Sequence, residues 1–218
     1  YFQVELGGEY HSCHSKVYIY GSRINSRASG EVYVVSSSTS YNPTFELSSG
    51  AQISNYGSMT VDLNGEELRL YSSSIVNEVG ASMVFLSVGS LAASSSSQTG
   101  TFTNLGALDF GISSGLFQFK SFMNTALGGT VDLSAGSLKM YGQGTHTGAI
   151  TIGTGLYLEV AYQSGQKHTF SSSVTFPAGD LSEVRVSGTA DILMSTFPVL
   201  VVDGLYGTVN LNQNGMSI

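Results

Sequence analysis

The sequence predicts an all-β chain wound as a parallel β-solenoid with irregular coils of roughly 15–25 residues. Three observations predict it. Apolar residues alternate with a period of two, a short glycine-marked element recurs along the chain, and Ser and Thr runs replace most surface charge. Alternation puts successive side chains on opposite faces of a strand, so one face is buried and the other is wet.

The recurring element reads apolar, any, apolar, two spacers, Gly, then one or two apolar residues. It is plainest in "TVDLSAGSLKMYG", residues 130–142, which places Val131, Leu133, Gly136 and Leu138. Close copies place Phe45, Leu47, Gly50 and Ile53; Val84, Leu86, Gly89 and Leu91; Ile150, Ile152, Gly155 and Leu156; and Val174, Phe176, Gly179 and Leu181. Looser copies fall at Val61–Leu68, Phe102–Phe110 and Val209–Met216. The glycines lie 15 to 36 residues apart, an irregular period that suits one coil of a few short strands with glycine at φ > 0 corners. In such a coil Val131 and Leu133 are core positions that stack on Ile150 and Ile152 of the next copy. Leu138 is expected on Leu156.

Helical support is thin. The window 60–71, "TVDLNGEELRLY", offers one turn at Glu66–Leu68, and the rest is rich in Val, Thr, Ser, Tyr, Phe and Gly. The rival fold is a set of tandem β-sandwich modules. Hairpins would show many Asn-Gly or Asp-Gly pairs, and only 64–65, 214–215 and 203–204 carry one. Residues 1–39, with "KVYIYG" and "EVYVV", read as a strand-rich cap or first coils. Residues 40–218 read as the irregular solenoid. The chain starts at Tyr1 and stops at "NLNQNGMSI", which reads as the middle of a strand, so a fragment of a longer protein is expected.

Composition narrows the function. Charged residues are 11% against a usual quarter, while apolar residues at 41% suffice for a core. The net charge is −7 and the eight Lys and Arg are spread singly, which argues against a nucleic-acid partner. No apolar run approaches the roughly 18 residues of a membrane span. Cys13 is the sole cysteine, so no disulfide closes within the chain. Hydroxyl runs at 36–39, 72–74, 94–97 and 171–173 can stack on successive coils and hydrogen-bond as cross-strand ladders do.

Over residues 100–218 the cadence "GTFTNLGALDFG…GTVDLSAGSLKMYGQGTHTGAITIGTGLYLEV" resembles the large extracellular adhesin-type right-handed β-helix proteins, with their "N-x-G-x-L" and "G-x-L" elements. Residues 40–99 share it weakly. The resemblance implies a fold and a setting, a stalk, fibre or adhesive surface, and brings no catalytic residues.

Candidate chemistry is sparse. His11, Cys13 and His14 of "HSCH", with Glu9 nearby, are soft and imidazole ligands, but a structural zinc site needs a second pair and none is obvious. Asp62, Glu66 and Glu67 with Arg69 form the densest acidic group, and paired carboxylates in a groove can cleave glycosides. Residues 62–67, "DLNGEE", are oxygen-rich but lack the spacing of a calcium loop. Exposed strand-end and turn residues are the simpler reading of all three. The twelve tyrosines suit strands and core, or a sugar-stacking row. The one Asn-x-Thr, "NPT" at 42–44, is blocked by Pro43, and O-linked sugars on the hydroxyl runs are the remaining modification.

The expectation is therefore non-catalytic, with no catalytic, cofactor or metal residues assigned. The chain is read as a structural building block of an extracellular or cell-surface fibre, appendage, coat or adhesin. Its partners would be copies of itself, neighbouring segments of the same protein, and glycans. The alternative is a carbohydrate-binding or polysaccharide-cleaving β-helix.

Overall fold

A computed structural model describes residues 2–6, 16–20, 23–26, 31–36, 44–93, 99–113, 115–120, 124–176, 183–194, 199–202 and 207–211. Among these residues 25 strands form three parallel sheets of seven, nine and nine strands, and no helix occurs. Up to Ile152 each turn of the chain adds one strand to each sheet in rotation; beyond it the described residues add strands to sheets B and C alone. Ser58–Asp62 joins sheet A, Glu67–Tyr71 sheet B and Ser74–Asn77 sheet C, before Ser82–Phe85 returns to sheet A. This is a parallel β-solenoid, and it sets aside both the hairpin and the sandwich readings.

The register explains the recurring element. Val131 pairs with Ile150 and Leu133 with Ile152, as the spacing predicts. Leu138 pairs with Leu158 rather than Leu156. The corner at Gly153–Leu156 holds a Leu156 N–H to Gly153 carbonyl bond, so the next strand starts only at Tyr157. The expected helical turn at Glu66–Leu68 is likewise strand. Asn64 (φ 49°) and Gly65 (φ 90°) turn the corner, and Glu67–Tyr71 runs on in sheet B with Leu68 and Leu70 buried.

Glycine serves two purposes at the corners. Gly50 and Gly155 have positive φ, as expected. Gly89 and Gly136 do not: there the preceding coil comes too close for a side chain. A Cβ on Gly136 would lie 2.8 Å from Ile112 Cβ, and one on Gly89 2.8 Å from Leu63 Cβ. Gly179 falls outside the described residues.

Rungs repeat every 22, 27, 23, 19, 24, 22 and 19 residues from Asn55 to Leu211 along sheet C. Strands of sheet C keep to three or four residues, and the corners absorb most of the variation. The inner face is continuous. Phe85 stacks on Phe110 at 5.2 Å and Phe102 on Phe119 at 5.1 Å, and Val131, Leu133, Leu138, Met140, Leu158 and Val160 are all buried. Each such side chain contributes about 1.5–3 kcal/mol of burial, added rung by rung.

The sheet C to sheet A corner gives the "N-x-G" element its physical meaning. Asn55, Asn77 and Asn104 occupy equivalent buried positions and chain their amides. Asn55 Nδ2 donates to Asn77 Oδ1 (2.8 Å), and Asn77 Nδ2 donates to Asn104 Oδ1 (2.7 Å). The same three Nδ2 atoms donate to the carbonyls of Ser82, Ala107 and Thr130, across the corner in sheet A. A dry corner thus has its polar groups satisfied. Two residues on, a Cβ on Gly106 would sit 2.4 Å from the Ala81 carbonyl oxygen, and one on Gly148 would overlap that of Gly129.

Candidate functional site

The outer faces carry what chemistry the described residues offer. "HSCH" with Glu9 lies outside them. Asp62, Glu66, Glu67 and Arg69 do not form one cluster. Asp62 ends a sheet A strand, Glu66 sits in the corner, and Glu67 and Arg69 lie on the outer face of sheet B. The oxygen-rich run 62–67 is this corner. Its backbone is committed elsewhere: Asn64 N–H donates to Ser87 Oγ (2.6 Å) and Gly65 N–H to the Val88 carbonyl (2.7 Å). Among the described residues no three His, Cys, Asp or Glu side chains converge on a point that could hold a metal.

Sheet B is a ladder of paired charges. Glu67 accepts from Arg69 Nε at 2.7 Å and from Lys120 Nζ, two rungs away, at 3.1 Å. Burial pushes the Glu67 carboxyl up, but the bonds from Arg69 and Lys120 outweigh it and hold the group below the ordinary carboxylate range. Such a carboxylate stays ionised and is a poor general acid. Further along, Lys139 meets Glu159 at 2.8 Å and Arg185 meets Glu183 at 2.8 Å. Tyrosines stand beside these cations. The Arg185 guanidinium lies 3.9 Å from the Tyr157 ring centre, and Lys139 Nζ 5.3 Å from that of Tyr141. These two rings are met by cations.

Sheet A holds a carboxylate pair that the sequence reading passed over. Asp109 and Asp132 are direct register partners on neighbouring strands. Partial burial and the nearby Asp109 charge raise the Asp132 carboxyl, while Ser134 Oγ donates to Asp109 at 2.6 Å. The signal was the repeated alternation "LDF" and "VDL", readable only once the register is known.

Sheet C carries a cleft of about 590 Å³ on its outer face. Thr101, Thr103, Asn124, Gln143, Thr145 and Thr169 line it with hydroxyls and amides on four successive strands. Gln143 donates to Asn124, and Lys167 at one end is held by Asp191 at 2.5 Å. That contact, with a bond from Asn210, holds the Asp191 carboxyl below its usual range.

Hydroxyl stacking between coils is present in places. Ser58 and Ser82 Oγ atoms are 3.3 Å apart, Ser73 Oγ donates to the Leu47 carbonyl, and Ser173 Oγ to that of Thr147. The runs at 37–39 and 94–97 lie outside the described residues.

The fold defines the class as parallel β-solenoid. No protein-family model, curated protein or solved structure matches the chain. Among the described residues no helix is long and apolar enough to cross a membrane.

Proposed function

We propose that this chain is a rigid structural building block of an extracellular or cell-surface fibre, coat, appendage or adhesin. One observation carries the reading: like stacks on like through successive rungs, in an unbroken core and an amide ladder. Each rung contacts its neighbours, so the architecture extends by repetition without a new design at each length. The outer faces fit the same role. Several of their charges are paired with one another, and hydroxyls and amides make up much of the remaining polar surface. The partners in this reading are copies of the chain or neighbouring segments of the same protein. Immunogold electron microscopy on the source cells tests it. Label along surface filaments or a coat is expected, and label confined to the cell interior sinks the proposal.

The sheet C cleft favours a second reading, binding of a neutral glycan. Hydroxyls and amides both donate and accept, as a polyhydroxylated ligand requires, and the one lining cation is neutralised by Asp191. A glycan array with wild type and Thr145→Val tests it. Binding that the variant loses supports the reading, and an empty array removes it.

A further inference from the structure

Where the amide ladder stops, sheet C changes its chemistry. The position of Asn55, Asn77 and Asn104 passes to Leu127, then to His146 and Phe170. His146 and His168 are both buried, with ring centres 5.2 Å apart and planes 13° apart, and the Phe170 ring stacks on His146 at 4.6 Å. His146 Nε2 lies 2.9 Å from His168 Nδ1. His146 Nδ1 is buried with no hydrogen-bond partner, and the polar group that bears on His168 from outside the pair is the Gly142 backbone carbonyl.

Proton counting makes this pair unlike the asparagines. With both rings neutral, one proton lies between them, so one outer nitrogen carries an N–H and the other a bare lone pair. His146 Nδ1 is buried without a partner in either tautomer, and His168 has only the Gly142 carbonyl to turn to. A third proton would add a buried charge met only by the Gly142 backbone carbonyl, which offsets burial in part. The side chains in register with the pair are Thr125, Leu127, Phe170, Ala190 and Ile192, and none is charged. The charged groups of the flanking strands, Lys139, Glu159, Lys167 and Asp191, lie on the outer faces and are paired there.

We propose that His146 and His168 form an acid-labile joint, at which mild acid opens the C-terminal coils while the amide-laddered coils stay closed. Burial lowers both histidines, His168 to about 4 and His146 well below its ordinary value, with the neighbouring His168 adding to the effect on His146. The folded pair therefore stays neutral while the opened chain protonates below about 6.5. The opened state binds more protons, so the folded state loses ground as pH falls from about 6.5 towards 4. Other titrations do not mimic this. The lowered carboxyls of Glu67 and Asp191 keep their contribution until pH falls below the carboxylate range. Glu66 and Asp132, both raised by burial, act with the opposite sign. Because coils contact only their neighbours, opening is confined to the rungs around and beyond the pair.

Native-state hydrogen exchange on the whole chain, corrected for intrinsic rates, tests this at about pH 7 and pH 5. Each histidine multiplies the opening constant by about tenfold per pH unit below 6.5, so residues 143–192 should open about a thousandfold more at pH 5. Residues 52–110 should change little. In the His146→Leu/His168→Leu variant the rise should vanish. Should that variant fail to fold, His168→Gln retains volume and hydrogen bonding and should cut the rise to about thirtyfold. An equal rise in both blocks, a rise under about threefold, or one that persists in the variants overturns the proposal.

Discussion

The rungs from Asn55 to Phe110 and those from Gln143 to Ile192 are wound alike but solve the same problem differently. Both must bring polar backbone round a dry corner between sheets C and A. The first set uses three asparagines: each donates across to a sheet A carbonyl, and Asn55 and Asn77 also donate forward to the next amide. The second has no such amides: its equivalent position holds His146 and then Phe170, and His146 pairs with His168 on the next strand. An amide carries no titratable proton and an imidazole does. The contrast teaches that one backbone geometry accepts two corner chemistries, of which only one is indifferent to pH.

The rung between the two sets is where both break together. Leu133 is fully buried and stacked on Ile152. Leu133→Asp puts an unpaired carboxylate into the shared core and should cost more than about 4 kcal/mol, read as loss of the cooperative transition in chemical denaturation. Asn77→Leu comes next. It strands the Ala107 carbonyl, an amide hydrogen of Asn55 and the Asn104 oxygen, and should cost about 3 kcal/mol at any pH between about 5 and 8. The corresponding double change His146→Leu/His168→Leu should lie within about 1 kcal/mol of wild type at pH 7, because both partners leave together. Equal costs for the two sets would erase the contrast. Gly148→Ala, in the corner shared by both chemistries, should cost about 1–3 kcal/mol, since its Cβ meets the Gly129 carbonyl. The smallest effect is expected outside. Lys139→Gln removes the pair with Glu159 and should shift stability by less than about 1 kcal/mol, and less again at high salt.

Much of the architecture was legible because it rests on local alternation. Val131, Leu133, Ile150 and Ile152 are strand positions with a buried face, and pattern alone finds such positions. What was illegible depends on register between coils. Rungs of 19 to 27 residues give no fixed period, so the distances from Asn55 to Asn77 to Asn104 could not be recognised as one column. Asparagine in a glycine-rich segment reads as a turn residue until its neighbours above and below are known. The same holds for His146 and His168, 22 residues apart, and for Asp109 with Asp132. Leu138 found Leu158 because corner length, not strand pattern, sets where the next strand begins. The acidic run 62–67 is contiguous in sequence, yet a corner splits it between two faces.

Cryo-electron microscopy of the protein in its native surroundings tests the central claim, that this chain is one stretch of a stacked scaffold. The account predicts rod-like segments whose power spectrum holds a layer line near 4.8 Å along the rod axis, the spacing of parallel strands. Isolated globular particles without that axial repeat would contradict it.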